Sequence, residues 1–302
     1  MMRRALLFIT IFLTSVLAAN AAAQKTVVNL PLGESIVKVN VYENQGASVT
    51  FFAPHHNEQI ARTLAREYVE RNGGRLVEIE SFDEKGNAMR FLKFQLKGKT
   101  YTIDPNRIYT DNGRACNVAP EIADAVKAFA ESLLKLLFAA DGKSLRENER
   151  FIVAVHNNTD VDAKADTAKT NNLTAVAFIK NANPLILSDG AFEEQADGVF
   201  LSNTETDADN FVFLSTTAQI GYFAAKGFNV VVQKSASKLQ SKQCTIDDGS
   251  MSVYSALSSI PYICLEADTV TGSIRQRQML EAVYNLLPEQ KPLEQTTVAV
   301  KK

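Results

Sequence analysis

Residues 151–160 read FIVAVHNNTD, an unbroken apolar run that ends in a histidine and a polar turn. An apolar run rich in β-branched and aromatic residues predicts a strand over 151–155 that is buried on both faces. In an open α/β sheet, ligands collect beyond the carboxyl ends of such strands. The stretch therefore predicts a central strand that presents His156 at a ligand-facing edge. A strand-end histidine with its hydrogen bonds satisfied inside the protein is the simpler alternative.

Similar apolar runs alternate with segments of helical period along the rest of the chain. Glycine or proline follows the helical segments, as expected where a helix stops. We therefore predict an α/β fold in which a mixed, mostly parallel sheet is flanked by helices on both faces. The predicted strands are 36–42, 48–53, 75–80, 89–96, 151–155, 174–179, 229–233 and 261–266, and the predicted helices are 57–71, 120–139, 216–226 and 273–287.

The amino terminus is typical of a secretory signal peptide. A short basic start, MMRR, precedes the apolar run ALLFITIFLTSVLAA, and three alanines at 21–23 offer a cleavage site. We expect residues 1–23 to be removed and the protein to be periplasmic or secreted, with a retained anchor as the alternative. Residues 24–287 then form a single domain, and the polar tail 288–302 is expected to be loosely held. No later apolar stretch is long enough to span a membrane.

The composition is that of a globular protein, with 46% hydrophobic and 22% charged residues. The formal net charge of −2 argues against a nucleic-acid-binding protein, since no excess of lysine and arginine is present to neutralise phosphates. Three cysteines allow at most one intrachain disulfide. Cys264 lies in the apolar run IPYICLEA and is expected to be buried. Cys116 with Cys244 is the remaining pair, a bond that export permits and the sequence does not demand.

Two of the three histidines stand in the run HHNE, directly after a predicted strand. His55 and Glu58 are three residues apart, so both can reach one ion from a tight turn or a first helical turn, and His56 then points elsewhere. A capping glutamate beside two surface histidines is the alternative. Together with His156 the pair makes a three-ligand set, which leaves the fourth position of a zinc ion open, as catalytic sites require.

Three further segments carry side chains suited to a substrate or to proton transfer. In the run DPNR, Arg107 offers a planar fork of donors that suits a carboxylate, and Asn106 adds an amide. An ion pair between Asp104 and Arg107 across a surface turn is the alternative. The run PYICLEA ends in Glu266, either a base for an attacking water or a salt-bridged strand end. The loop DDGSMSVY, which ends in Tyr254, has the composition of one that closes over a substrate.

The motifs HHNE, DPNR, AVHN and LEA, in this order, resemble the zinc carboxypeptidase superfamily. Their spacing is closer to its aspartoacylase and succinylglutamate desuccinylase branch than to the digestive carboxypeptidases. The resemblance covers roughly residues 48–268. It implies the zinc ligands His55, Glu58 and His156, the carboxylate-binding residues Asn106 and Arg107, and the general base Glu266.

Two departures from the family pattern affect the implied site. His56 stands where the family usually has glycine, and its bulk is expected to narrow that corner. The deacylase branch places a carbonyl-polarising arginine seven residues before the asparagine, and this position is Lys99, which carries charge but lacks a planar fork. Arg90 or Arg114 are the alternatives for this role, and the sequence leaves the choice open.

The sequence thus favours an exported zinc-dependent hydrolase that cleaves an amide bond next to a free carboxylate, in a small peptide such as a cell-wall peptide. Deacylation of an N-acyl amino acid is the alternative within this class. A secreted binding protein that kept the fold and lost turnover is the alternative from another class, and Lys99 and His56 are the residues that favour it.

Overall fold

The computed structural model describes residues 22–46, 48–138, 151–158, 196–205, 207–239 and 243–287. The predicted strand 174–179, nearly all of the predicted leader and the C-terminal tail lie outside these residues. The described strands are β1 (Gln24–Leu32), β2 (Ser35–Asn44), β3 (Val49–Ala53), β4 (Gly74–Ile79), β5 (Leu92–Leu96), β6 (Lys99–Ile103), β7 (Phe151–Asn158), β8 (Ala196–Phe200), β9 (Phe211–Leu214), β10 (Asn229–Gln233) and β11 (Tyr262–Asp268).

Helices connect these strands and cover the sheet. They are α1 (Gln59–Asn72), α2 (Asp111–Asn117), α3 (Ala123–Phe138), α4 (Ile220–Ala225), α5 (Ala236–Leu239), α6 (Met251–Leu257) and α7 (Ser273–Leu286), with 3₁₀ turns at Pro120–Ile122 and Thr217–Gln219. None of the helices in the described part of the chain combines the length and apolar character that crossing a bilayer requires.

Nine strands form one sheet in the order β1-β2-β4-β3-β7-β11-β9-β10-β8, while β5 and β6 form a separate hairpin. The centre is parallel, since β3 pairs in parallel with β4 and β7, and β7 does so with β11. The pairings make β1, β3, β4, β7, β8 and β11 run one way and β2, β9 and β10 the other. Six of the nine strands thus run in the same direction, and this mixed sheet with a parallel centre confirms the predicted fold class.

Alternate residues of the central strands enter two hydrophobic cores, one on each face of the sheet. In β7, Ile152 and Ala154 join the core under α3 and α6, whereas Val153 and Val155 join the core under α1, α4 and α7. Because both faces are covered, β7 and β11 are apolar without alternation, as the run FIVAV predicts. Helices on both faces complete the predicted architecture.

The register of β7 and β11 places two polar side chains at the end of the core. His156 and Glu266 are Cα partners across this parallel pair. His156 follows the parity of Ile152 and Ala154, so it faces the side covered by α3 and α6. Parallel strands end at the same edge, and this edge therefore carries both residues side by side.

Several elements differ from their predicted bounds for physical reasons. The strand predicted over 89–96 begins only at Leu92. The residues before it belong to a turn that an isolated β-bridge between Phe82 and Ala88 closes. β1 was not predicted, since its outer half is exposed and it contains Pro31, which is tolerated at a sheet edge. β8, the strand at the opposite edge of the sheet, was not predicted either, because it is only five residues long and half-buried.

The three cysteines form one disulfide and leave one free thiol. Cys116 and Cys244 form a disulfide that joins the end of α2 to the segment before α6. Cys264 is a free, buried cysteine inside β11, as expected from its apolar surroundings. The bond joins two cysteines that are 128 positions apart in the sequence.

Candidate metal and substrate site

Glu58 lies between two imidazole rings at the edge of the sheet. His55 follows the end of β3 after one proline, and Glu58 occupies the N-cap position of α1 without a side-chain capping hydrogen bond. Glu58 Oε1 lies 2.7 Å from His55 Nδ1, and Glu58 Oε2 lies 2.9 Å from His156 Nδ1. The structure therefore brings together three side chains that lie up to 101 positions apart in the sequence, from His55 to His156.

The chemistry of this cluster fits a zinc ion. One potential ligand atom from each of the three residues lies within 4.8 Å of the others, and all three residues are buried. Two imidazole nitrogens and one carboxylate oxygen form the donor set of catalytic zinc sites that keep one position open. His55, Glu58 and His156 are thus the residues that would hold such an ion.

The charges inside the cluster stabilise its carboxylate. Burial alone would raise the pKa of Glu58, but the adjacent His55 and His156 outweigh burial and hold it well below its ordinary value. Burial also lowers the pKa of His55, yet Glu58 and Asp104 more than compensate and raise it. The raised pKa favours the protonated form of His55, which must lose its proton before Nδ1 can bind a cation, so binding of an ion here would release a proton.

Asp104 fixes the orientation of the His55 ring. Its Oδ1 lies 2.9 Å from His55 Nε2 and also accepts a hydrogen bond of 2.8 Å from the backbone N–H of Asn106. An acceptor at Nε2 favours the tautomer that leaves Nδ1 free to bind a cation. Asp104 was predicted only as an alternative ion-pair partner of Arg107, although its position directly after β6, two residues before Asn106, is a usable signal.

Arg90 reaches the two inner carboxylates from outside. One guanidinium nitrogen lies 3.0 Å from Glu58 Oε1 and another 3.5 Å from Asp104 Oδ2, while 38% of its side chain stays exposed. Lys99 instead is exposed at the start of β6. Arg114 donates a hydrogen bond of 2.7 Å to the Ile108 carbonyl oxygen and forms an ion pair with Asp111 on its own helix. Of these three basic candidates, Arg90 is the one that contacts a candidate zinc ligand.

Glu266 is a buried carboxyl group beside the cluster, with 4% of its surface exposed. Burial raises its pKa to about 7, and Glu58 pushes in the same direction while His156 opposes the shift. The Cys264 thiol donates to Glu266 Oε1 over 3.5 Å. A carboxyl group whose pKa is close to neutrality can both accept and return a proton under ordinary conditions.

Arg107 and Asn106 lie between the cluster and the loop before α6. Arg107 Nε is 3.5 Å from Asp248 Oδ2, and the Asn106 side-chain oxygen accepts from the Met251 N–H at 3.1 Å. Burial would lower the pKa of Arg107, but Asp248, Asp104 and Glu266 outweigh burial and raise it. The guanidinium is therefore a permanent, half-buried cation within the electrostatic reach of Glu266.

The loop before α6 is held by a short hydrogen-bond network. Asp247 accepts from Thr110 Oγ1 at 2.5 Å and from the Gly249 N–H at 3.1 Å. Tyr254, in α6, packs its ring against those of Tyr109 and Phe138, each at 6.4 Å between centroids. His56 lies on the far side of its loop, where its Nδ1 contacts the Ser81 backbone, so it points away from the cluster as expected.

No protein-family model and no curated protein matches this chain. Among solved structures, the chain is similar to a "putative metallopeptidase" from Shewanella baltica, with 14% identity over 86% of this chain and 84% of that chain and a TM-score of 0.37. It is also similar to a succinylglutamate desuccinylase/aspartoacylase from Rhodobacter sphaeroides, with 10% identity over 90% and 68% of the two chains and a TM-score of 0.39.

A third solved structure, the ectoine utilization protein EutE (DoeB) from Ruegeria pomeroyi with product bound, has 11% identity over 89% of this chain and 69% of that chain and a TM-score of 0.39. The names of these proteins include the family branch that the four sequence motifs resemble. At such scores the likeness assigns no function, and the function proposed below rests on the side chains of the site.

Proposed function

We propose that this protein is an exported zinc-dependent hydrolase that cleaves an amide bond next to a free carboxylate, in a small peptide or an N-acyl amino acid. The observation that carries this proposal is the position of Glu266, a buried carboxyl group on the strand next to His156, directly beside three clustered ligand candidates. A structural metal site needs no such neighbour, whereas hydrolysis needs a base within reach of the attacking water.

His55, Glu58 and His156 would hold the ion, and Asp104 orients His55 for it. Zinc, when bound, supplies a Lewis acid that polarises a carbonyl group and favours deprotonation of water. Glu266 accepts the proton from the attacking water and returns it to the leaving amine, since its buried carboxyl group lies on the strand next to His156, within reach of the site.

Two arginines give the proposed site its preference for substrate. Arg90 lies at the rim with its guanidinium turned toward the cluster, where it can donate to the oxygen of the scissile carbonyl as negative charge develops. Arg107 offers a planar fork that a substrate carboxylate can accept in bidentate fashion, in place of the 3.5 Å contact with Asp248. A free carboxylate next to the scissile amide would thus be recognised by charge and shape.

Export is supported by two features of the chain. The disulfide between Cys116 and Cys244 is of the kind that persists in oxidising compartments. The described sheet begins at Gln24, so loss of residues 1–23 would leave every described strand and helix intact. Periplasmic or extracellular peptides, including cell-wall peptides, are the proposed substrates on this ground.

Glu266→Gln tests the proposal, after a screen of peptide and N-acyl amino acid libraries has supplied a substrate. The amide is nearly isosteric with the carboxyl group, so the zinc content should stay near that of the parent. Turnover should fall by about 10²-fold or more, the usual worth of a positioned general base. Glu67→Gln in α1 is the matched control, since Glu67 is half-exposed and pairs with Arg71 and Arg277 rather than with a residue of the site, and it should keep full turnover.

Full activity of Glu266→Gln on a zinc-requiring substrate would place the base elsewhere, with Asp247 and Asp248 as the next candidates. A parent that binds zinc and cleaves no member of either library would favour the binding-protein alternative.

Arg107→Lys tests how the carboxylate is recognised. Lysine keeps the charge and loses the fork, so kcat/KM for free-carboxylate substrates should fall by about tenfold to a hundredfold, while amidated analogues change little. The two substrate forms are compared side by side in parent and variant. Equal cleavage of free and amidated substrates by the parent would exclude Arg107 as a carboxylate anchor.

A further inference from the structure

A second group of potential metal ligands shares His156 with the first. Cys264 and Glu266 are two residues apart on β11, so both side chains project from the same face of the sheet. His156 is the Cα partner of Glu266 on β7. One ligand atom from each of the three residues lies within 4.8 Å of the others, and all three residues are buried.

We propose that His156, Cys264 and Glu266 form a second site, which takes a thiophilic divalent cation such as Cd²⁺ and inhibits the protein when it is filled. The donor set differs from that of the first group by its sulfur, and soft thiolate ligands favour soft ions over magnesium or calcium. On binding, the S–H bond of Cys264 breaks, a sulfur–metal bond forms and the proton leaves to solvent.

An ion in this second site inhibits the protein because the site uses His156, a candidate zinc ligand, and Glu266, the proposed base. An ion held by His156 competes with the zinc ion for one of its three ligands. The same ion occupies the carboxylate of Glu266, which can then no longer accept a proton from water. The inhibition rests on the proposed function, whereas binding of the cation at these three residues does not.

Cys264 makes the site directly observable. The chain has three cysteines, and Cys116 and Cys244 form the disulfide, so Cys264 carries the one free thiol. An ultraviolet charge-transfer band of a cadmium thiolate therefore reports on this residue alone. Cys264 is buried, with 6% of its surface exposed, so bulky thiol reagents should react with it slowly.

The experiment titrates Cd²⁺ into the purified full chain, with its disulfide intact, and follows the thiolate band together with the bound metal. The band should rise and saturate, and it should be absent in Cys264→Ser. Zinc content of Cys264→Ser near that of the parent shows that the variant is folded, because its zinc ligands remain. In Glu266→Gln the band should need at least about tenfold more cadmium, since one of three ligands is lost.

Absence of the band in the parent, or an unchanged titration in Glu266→Gln, would overturn the proposed site. For the zinc-loaded protein, cadmium should reduce hydrolysis in the parent by a larger fraction than in Cys264→Ser, and equal inhibition of both would refute the inhibitory role. Failure of the proposed function would appear instead as absence of hydrolysis without cadmium, a result that leaves the thiolate band unaffected.

Discussion

Glu266 is the residue whose surroundings bear most directly on chemistry. Its pKa of about 7 arises chiefly from burial, whereas the ordinary value for glutamate is 4.5. Between these two pH values the folded, metal-free protein retains a proton that the unfolded chain has already released. The unfolded chain thus binds fewer protons, and the free energy of unfolding falls as the pH rises through this range.

Glu266→Gln removes the ionisable group and, with it, this loss of stability at higher pH. In the metal-free protein, the variant should gain stability relative to the parent between pH 4.5 and pH 8, by up to about 3 kcal/mol from a shift of this size. Urea unfolding of both proteins at the two pH values measures the change. A difference between variant and parent that is the same at both pH values would contradict a raised pKa of Glu266.

The sequence predicted the residues of the cluster better than the residues around it. His55 and Glu58 are joined by a local spacing of three, and His156 and Glu266 end apolar strands, so each leaves a signal in its own segment. For Arg90 the sequence left the choice with Arg114 open, because the approach of Arg90 to Glu58 depends on how residues 80–91 fold against the loop after β3. The spacing of apolar residues along the sequence predicts strands and helices but not long-range contacts of this kind.

Among the elements, α2 and the loop before α6 approach each other through two glycines. A Cβ added to Gly113 in α2 would stand 2.0 Å from the Cα of Gly249, closer than any real contact, and Gly249 itself has φ +78. Neighbouring Asp248 pairs with Arg107, and Thr110 before α2 bonds Asp247. The glycine contact therefore sets the distance between α2 and the loop whose Asp248 pairs with Arg107.

Gly113→Ala tests this contact. The added methyl group must push the loop away, and overpacking of this kind typically costs about 1–3 kcal/mol. Gly221→Ala in α4 is the matched control, since no atom lies within 4 Å of its added Cβ, and it should be neutral or slightly stabilising. Thermal unfolding of the three proteins decides the matter, and equal loss of stability in both variants would argue against a tight contact at Gly113.

The elements that the sequence missed have weak or conflicting patterns. β1 has Pro31 and mostly exposed residues, and β9 is only four residues long. Both gain their structure from neighbouring strands rather than from their own apolar period, since β1 pairs with β2 along nine residues and β9 joins β11 to β10. The central strands were predictable because burial on both faces leaves an unbroken apolar run.

At the scale of the whole molecule, strand order brings the candidate ligands together. β3, β7 and β11 are adjacent in the sheet, although residues from α1 to α6 separate them along the chain. Their parallel pairing places the ends of all three strands at one edge, where His55, His156 and Glu266 meet. The sequence predicted the strands and the sheet class, while the order of the strands follows only from the fold.

The central claim is that this edge holds one zinc ion through His55, Glu58 and His156. Elemental analysis of purified parent, His55→Ala, Glu58→Ala and His156→Ala, each dialysed against the same zinc buffer, tests it most directly. His56→Ala is the control, because His56 contacts the Ser81 backbone and points away from the cluster. We predict about one zinc ion per chain in the parent and in His56→Ala, and loss of most zinc in the other three variants. Equal zinc in His156→Ala and the parent would contradict the account.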